Sequence, residues 1–276
     1  MPELPEVETT RRTLAPHLIG RAFTGVLLEW PKAIAYPDPA TFAQRLSGRR
    51  IVDLERRGKH LILVLDDGSR LVVHLRMTGS LQLAAPTAAP TRFTRNTLLL
   101  DDGTELRFVD LRKFGQLWLV GPDEPEQLPF SRTGPEPLDP DFTGQALADL
   151  LCHRHGKLKA TLLDQHVLAG LGNIYVDEAL FEAGLHPERS VDSLTDDDIA
   201  RLHGAIVAVL RRGIHNQGTS YRDFVGPFGE PGSNQEDLRV WRRGGQACPR
   251  CGTPIQKLRV AGRGTHLCPS CQRVGG

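Results

Sequence analysis

With 276 residues, the chain is long enough for about two domains. Its 39% hydrophobic and 24% charged residues are ordinary for a globular protein. No apolar run approaches the ~18 residues of a membrane helix. The opening residues carry Glu3, Glu6 and Glu8 without an apolar core, so neither a membrane span nor a secretory signal peptide is expected. The net charge is only +1, but from Arg239 onward there are seven arginines, one lysine and no acidic residue. A basic tail on a near-neutral chain suggests a polyanionic partner, with a solvated surface as the alternative.

The first predicted element is a helix over about residues 3–17, with Pro2 and Pro5 suited to its first turn. Removal of Met1 before a small residue would leave Pro2 as a secondary amine beside Glu3 and Glu6. A free α-amine has a pKa of about 7.7–8.0, so much of it is unprotonated near neutrality. Such an amine can attack an aldehydic carbon and form a Schiff base, while a carboxylate shuttles protons.

Strands follow. Leu61–Leu65 and Leu71–Leu75 flank Asp66-Asp67-Gly68, and Thr97–Leu100 and Glu105–Val109 flank Asp101-Asp102-Gly103. Asp-Gly between apolar runs marks a hairpin, and the repetition argues for an antiparallel sandwich or barrel up to about residue 130. Lys59 lies just before a buried strand, either as a charge-assisted donor or as a snorkelling strand-end lysine. Met77 and Phe114 stand beside turns, the latter with Arg112. Such a trio can fill a gap in a base stack, although each residue alone would fit a core.

The proline-rich, acidic stretch from Gly121 to Pro140 reads as a linker. The expected division is residues 1–130, a linker over 131–150, a helical part with a loop over 151–240, and a terminal segment over 241–276. Cys152 is expected to be an inert buried thiol. Gly170-Leu-Gly-Asn-Ile-Tyr175 lacks the third glycine of a dinucleotide fingerprint. It reads as a tight turn feeding a helix from Ile174 to about Gly184, whose exposed amides, with Asn173, suit a phosphate. Ser193–Thr195 followed by Asp196, Asp197 and Asp198 predicts a helix start. The apolar stripe from Ile199 to Ile214 ends near Gly213, and Gly218–Gly232 reads as a loop.

The last segment holds Cys248, Cys251, Cys268 and Cys271 as two Cys-x-x-Cys pairs separated by 16 residues. That spacing is strongly specific for one four-thiolate zinc site, with two disulfides as the alternative, disfavoured because nothing marks the chain as secreted. So short a hairpin has little core, and the metal must supply much of its folding energy.

Together these pieces resemble one family. They are the terminus Pro-Glu-Leu-Pro-Glu-Val-Glu-Thr, the Arg-Arg-Gly-Lys-His strand entry, the Leu-Arg-Met-Thr-Gly and Leu-Arg-Lys-Phe-Gly turns, the segment Ala169–Leu180 and the four-cysteine end. In this order they look like bacterial formamidopyrimidine-DNA glycosylase, also called 8-oxoguanine-DNA glycosylase. The resemblance implies an α+β fold: an N-terminal antiparallel β-sandwich with an opening helix, then a helix–two-turns–helix domain with a zinc-finger hairpin. It implies a monomeric, cytoplasmic, nucleoid-associated enzyme that excises oxidised purines from double-stranded DNA and then cleaves the strand.

Under the resemblance Pro2 is the nucleophile, Glu3 the acid/base at the sugar, Glu6 an assistant, and Lys59 a phosphate contact and proton-transfer group. Met77, Arg112 and Phe114 fill the vacated space, with Arg112 pairing the orphaned base. Asn173 and Arg263 hold phosphates, the loop Gly218–Gly232 closes over the flipped purine, and one structural zinc sits on the four cysteines. The sequence departs from the family pattern at Leu111, at His153-Arg154-His155, at Ser233-Asn234-Gln235 and at His266. Two alternatives stay open at this stage: an endonuclease VIII-type enzyme for oxidised pyrimidines, and a non-catalytic zinc-ribbon DNA-binding protein.

Overall fold

A computed structural model describes residues 1–221 and 224–274. The chain forms two compact units, Met1–Arg132 with Asn216–Gln235, and Thr133–His215 with the segment from Glu236 onward.

The first unit opens with α1 (Leu4–Leu18), then β1 (Phe23–Leu28), β2 (Ile34–Tyr36), α2 (Pro39–Leu46), β3 (Ile51–Arg57), β4 (His60–Leu65) and β5 (Arg70–His74). β6 (Gly79–Ala84), β7 (Thr94–Leu100), β8 (Glu105–Asp110) and β9 (Gln116–Val120) complete it. One sheet has the order β1-β7-β8-β6 and the other β2-β9-β5-β4-β3. All pairings are antiparallel except β2 with β9, where three residues run parallel. This short strand is the one exception to the expected antiparallel pattern, and it is reached by a crossover rather than a hairpin.

The two Asp-Gly hairpins form where the turn chemistry demands them. Gly68 and Gly103 take φ of +81° and +84°, a region that costs glycine nothing. Asp67 and Asp102 accept the amides of Ser69 and Thr104, each at 2.9 Å. The resulting register places Leu63 opposite Leu71 and Leu99 opposite Glu105. Val7, Leu14 and Leu18 of α1 join Phe23, Leu63, Leu71, Val73, Leu98, Phe108 and Leu117 in one core. α1 packs on β3 and β4, so the chain's first residues lie at one end of that sheet's cover.

The second unit holds α3 (Gly144–Leu151), α4 (Leu158–Leu163), α5 (Asn173–Ala183), α6 (Asp196–His215) and the hairpin β10 (Gln256–Val260)–β11 (Arg263–Leu267). The stretch 131–150 is more than a linker. Thr143 caps α3 by accepting the Ala146 amide at 3.2 Å, and Leu147 and Leu151 are buried. α5 ends at Gly184, whose φ of +71° supplies the left-handed cap. α6 starts after Thr195, which exchanges hydrogen bonds with Asp198. It runs through Gly213 to His215 rather than stopping at the glycine. A Cβ on Gly213 would stand 2.6 Å from the Tyr175 ring, so glycine serves close packing here, not termination.

Candidate active site and nucleic-acid interface

At the start of α1, Pro2, Glu3 and Glu6 are all buried, while Met1 is 47% exposed. With Met1 attached, the Pro2 nitrogen is an amide; it becomes an amine only when that residue is removed. The Glu3 amide donates to Glu6 Oε2 at 2.8 Å, and the Thr219 amide donates to Glu6 Oε1 at 2.8 Å. Both Glu6 oxygens therefore accept backbone N–H groups, and the carboxylate ties the helix start to the segment Asn216–Gln235. Gly218 permits this approach: its φ is +84°, and a Cβ would lie 2.9 Å from Glu6 Cγ. Asn234 Nδ2 donates to Thr219 Oγ1 at 2.8 Å and stiffens the same contact. The segment belongs to the first unit.

Lys59 is 8% exposed and sits in the two-residue turn between β3 and β4. Gly58 takes φ +56° there, and Arg56 Nη1 donates to the Gly58 carbonyl at 3.1 Å. Arg56 in turn reaches Glu8 at 3.3 Å, where Arg11 and Arg12 also converge at 2.8 and 2.7 Å. Burial works against the Glu8 charge, but hydrogen bonds from Arg11 and Arg12 and the charges of Arg11 and Arg56 outweigh it. The carboxyl falls to about 2.

His60 and His74 pack edge to face across β4 and β5, with ring centroids 4.6 Å apart. Burial, and then nearby positive charge, lowers them to about 4 and about 2, so both are neutral near pH 7. His74 Nδ1 accepts the Arg76 amide at 2.9 Å and fixes the left-handed turn, Arg76 φ +53°, that presents Met77.

Met77, Arg112 and Phe114 come together. Arg112 Nη1 lies 2.9 Å from Met77 Sδ, and its guanidinium carbon is 4.7 Å from the Phe114 ring centroid. Met77 is 39% and Phe114 50% exposed, so neither is a core residue. The group that joins their two turns is Asp110, fully buried. Its Oδ1 accepts from the Thr78 hydroxyl and from the Arg112 amide at 3.1 Å, and its Oδ2 accepts from the Gly115 amide at 2.8 Å. Gly115 is required because a Cβ would meet the Phe108 ring at 2.3 Å. Sequence reasoning gave Asp110 no task; an aspartate just before the exposed Leu-Arg-Lys-Phe turn was the available signal. Between Arg112 and Phe114, Lys113 is left-handed at φ +60°, a conformation that costs an L residue about 1–2 kcal/mol. Its ammonium lies 4.0 Å from the Trp30 ring centroid, and cation–π contacts contribute about 0.5–2 kcal/mol.

In the second unit, Asn173 opens α5 and donates from Nδ2 to the Gly264 carbonyl at 2.9 Å. Arg263, exposed, is the residue before it. Asn173 and Arg263 are therefore neighbours, joined through the β10–β11 turn. Lys159 and Asp177 form a fully buried ion pair behind this turn. Lys159 Nζ also donates to Thr265 Oγ1 at 2.9 Å and to the Gly264 carbonyl at 3.2 Å, and Asp177 Oδ2 accepts the His266 amide at 2.9 Å. Lys159 was missed from sequence, where attention fell on His153-Arg154-His155; with only six lysines in the chain, a lysine on an otherwise apolar helix was the signal. Glu178 accepts the amides of Arg239, Val240 and Trp241 at 2.8–2.9 Å, and burial pushes its carboxyl up.

The four predicted ligands Cys248, Cys251, Cys268 and Cys271 place their Sγ atoms within 4.8 Å of one another. Individual Sγ–Sγ distances are 3.9 Å for Cys248–Cys271 and 3.5 Å for Cys251–Cys268. A tetrahedral zinc with bonds of about 2.3 Å needs sulfurs about 3.8 Å apart, so these residues fit the metal. Burial and neighbouring sulfurs push the Cys271 thiol up to about 12, and a bound cation would displace that proton. Cys152, expected to be buried, is exposed. It ends the short helix α3, where its Sγ donates to the Asp149 carbonyl at 3.1 Å.

The chain matches three domain families: the formamidopyrimidine-DNA glycosylase N-terminal domain over residues 1–117, the H2TH domain of the same enzymes over 133–225, and the zinc finger found in FPG and IleRS over 245–274. The formamidopyrimidine-DNA glycosylase of Moorella thermoacetica is 50% identical over 94% of this chain and 94% of its own length. That of Symbiobacterium thermophilum is 50% identical over 99% and 90%. A Lactococcus lactis enzyme in complex with DNA containing Fapy-dG superimposes with a TM-score of 0.92 at 38% identity, over 99% of this chain and 100% of that one. MutM in complex with DNA containing carbocyclic 8-oxo-G gives 0.91 at 38% identity, with the same shares. By sequence over nearly its whole length and by fold, the chain belongs to the formamidopyrimidine-DNA glycosylase family.

Proposed function

We propose that this chain is a bifunctional base-excision-repair enzyme. It removes oxidised purines, 8-oxoguanine and formamidopyrimidines, from duplex DNA and cleaves the strand at the resulting site. The observation that carries this reading is the trio Met77, Arg112 and Phe114, exposed and joined by contacts of Arg112 with each of the others, on the unit that also bears Pro2 and Glu3. Extruding a base costs a few kcal/mol, and a preassembled aromatic, thioether and guanidinium offset that cost by occupying the vacancy. Arg112 pairs the orphaned base, Met77 enters from the facing turn, and Phe114 wedges beside it.

With Met1 removed, the Pro2 amine attacks C1′ of the flipped nucleotide. The C1′–N bond to the base breaks and its electron pair leaves with the base. The amine proton is lost, the C1′–O4′ bond breaks with its electron pair going to O4′, and an iminium forms between Pro2 and C1′ of the opened sugar. Glu3 moves protons at the sugar ring oxygen. Glu6 assists by position, because its two oxygens hold the Glu3 and Thr219 amides. The iminium acidifies the C2′ proton, so β- and then δ-elimination expel the phosphates on either side, and water hydrolyses the last imine. Lys59, held by the Gly58 turn, contacts the flanking phosphate and assists proton transfer. No redox cofactor enters this sequence.

Asn173 and Arg263 hold backbone phosphates, so affinity falls steeply with salt. The loop Gly218–Gly232, of which Arg222 and Asp223 lie outside the described residues, closes over the extruded purine while Glu6 anchors its root. Cys248, Cys251, Cys268 and Cys271 hold one structural zinc; four thiolates close its shell and leave no position for a reactive water. The protein works as a monomer in the bacterial cytoplasm, with the nucleoid as its substrate. Borohydride reduction during turnover tests the reading: a covalent protein–DNA adduct is expected on duplexes carrying 8-oxoguanine, and little on duplexes carrying thymine glycol. Preferential trapping on thymine glycol, or none on either, would overturn it.

A further inference from the structure

We propose that Trp30 and Lys113 form a clamp that sets the position of Arg112, and so determines how strictly the base opposite the lesion is discriminated. The inference rests on the reading of Arg112 given above. Asp110 binds the two ends of the turn, at the Arg112 and Gly115 amides. Its middle residue, Lys113, is the one held left-handed, and the side chain there goes to Trp30 while Arg112 lies over Phe114.

Trp30 is built to receive it. Its ring packs against the sandwich core, and its amide donates to the Arg95 carbonyl at 2.8 Å. Arg95 Nε in turn donates to the Asp110 carbonyl at 2.6 Å. A second ammonium, that of Lys32, lies 5.5 Å from the same ring. The Trp30 backbone is therefore tied through Arg95 to Asp110, the end of the strand that leads into the turn, and the contact of its ring with Lys113 offsets the backbone cost of the left-handed residue. Without the clamp, the guanidinium of Arg112 keeps its chemistry but loses its fixed height above the Asp110 anchor. Reading by a bidentate guanidinium depends on that geometry. Lys113 is thus a positioning residue, not a phosphate ligand.

The test compares Trp30→Leu, Trp30→Phe and Lys113→Ala with the full-length parent in single-turnover excision of 8-oxoguanine opposite cytosine and opposite adenine. Trp30→Leu and Lys113→Ala, which keeps the left-handed backbone cost but loses the contact, should lower the cytosine-to-adenine rate ratio about tenfold, the scale of one well-formed cation–π contact. Trp30→Phe, which keeps a ring face, should retain most of the ratio. Strand cleavage at a preformed abasic site and the salt dependence of binding should match the parent in Trp30→Leu and Lys113→Ala. An unchanged ratio in these two variants overturns the clamp. So does a salt slope reduced by about one in Lys113→Ala, which would make the lysine a phosphate contact. Slower cleavage at the abasic site in Trp30→Leu would mark a general structural defect and also overturn it. Arg112→Ala separates the two levels: if the ratio survives that change, the reading of Arg112 itself fails and the clamp falls with it.

Discussion

The two units hold the groups proposed to contact DNA by different means. In the first, a sandwich with a continuous apolar core supplies stability, and buried carboxylates pin the turns at its ends. Glu6 takes the amides of Glu3 and Thr219, Asp110 those of Arg112 and Gly115, and Glu8 gathers three guanidiniums. In the second, among the described residues, the zinc hairpin joins a small apolar cluster, Phe181, Val240, Cys248, Ile255 and Cys268. There the metal and the Lys159–Asp177 pair do what hydrophobic burial does elsewhere. Losing one pin in the first unit should misplace a functional residue on an intact scaffold; losing one in the second should dissolve the module that carries Arg263.

The largest effect is therefore expected from the metal. Chelation, or Cys268→Ser, should unfold the hairpin, because structural zinc contributes about 10–16 kcal/mol of apparent binding energy in small zinc modules. DNA affinity should drop by at least about a hundredfold, the scale set by losing several phosphate contacts, while the first unit still melts cooperatively. Undiminished DNA binding by metal-free protein would break the comparison.

A smaller loss is expected from Lys159→Ala, which strands Asp177 in a site with no exposure. Breaking a buried pair from one side costs about 3–5 kcal/mol, measurable by urea denaturation. Lys159→Met with Asp177→Leu should cost less than the two single changes summed; strict additivity would mean that the groups do not act as a pair.

The smallest effect is a pH dependence in the first unit. The folded Glu8 carboxyl lies at about 2, below its ordinary 4.5. A depressed folded value contributes stability that is fully present above the ordinary value and is lost as pH falls toward 2. The melting temperature of the parent should fall across that window, and Glu8→Gln should flatten the fall. Equal acid sensitivity in both proteins would remove Glu8 as the cause.

What could be read in sequence was local. Gly68 and Gly103 announced their hairpins because each turn is encoded within four residues, and the paired cysteines announced a metal because ligand chemistry fixes their spacing. Pro2, Lys59, Met77, Arg112 and Phe114 were singled out by their own chemistry and given roles through resemblance to a family, and the structure adds that Arg112 meets both Met77 and Phe114. What stayed hidden depends on distant partners. Nothing near Thr219 in the chain indicates that its amide meets Glu6, 213 positions earlier. Lys159 donates to Gly264 and Thr265, and Asp110 accepts from the Thr78 hydroxyl, partners in other elements that composition does not record. Gly213 looked like a helix stop because its reason for being small, the Tyr175 ring, comes from another helix. Cys152 looked buried because free thiols usually are, but it caps the end of α3 and is exposed there.

The claim on which all of this depends is that the Pro2 nitrogen, freed of Met1, is the nucleophile. The most direct measurement is borohydride trapping on 8-oxoguanine duplex DNA with three proteins: the processed chain, a chain retaining Met1, and Pro2→Gly. The account predicts a covalent adduct at the N-terminal residue of the processed chain and its near-complete loss when Met1 is retained, with sharply weakened trapping in Pro2→Gly. Equal adduct yields from all three would contradict it.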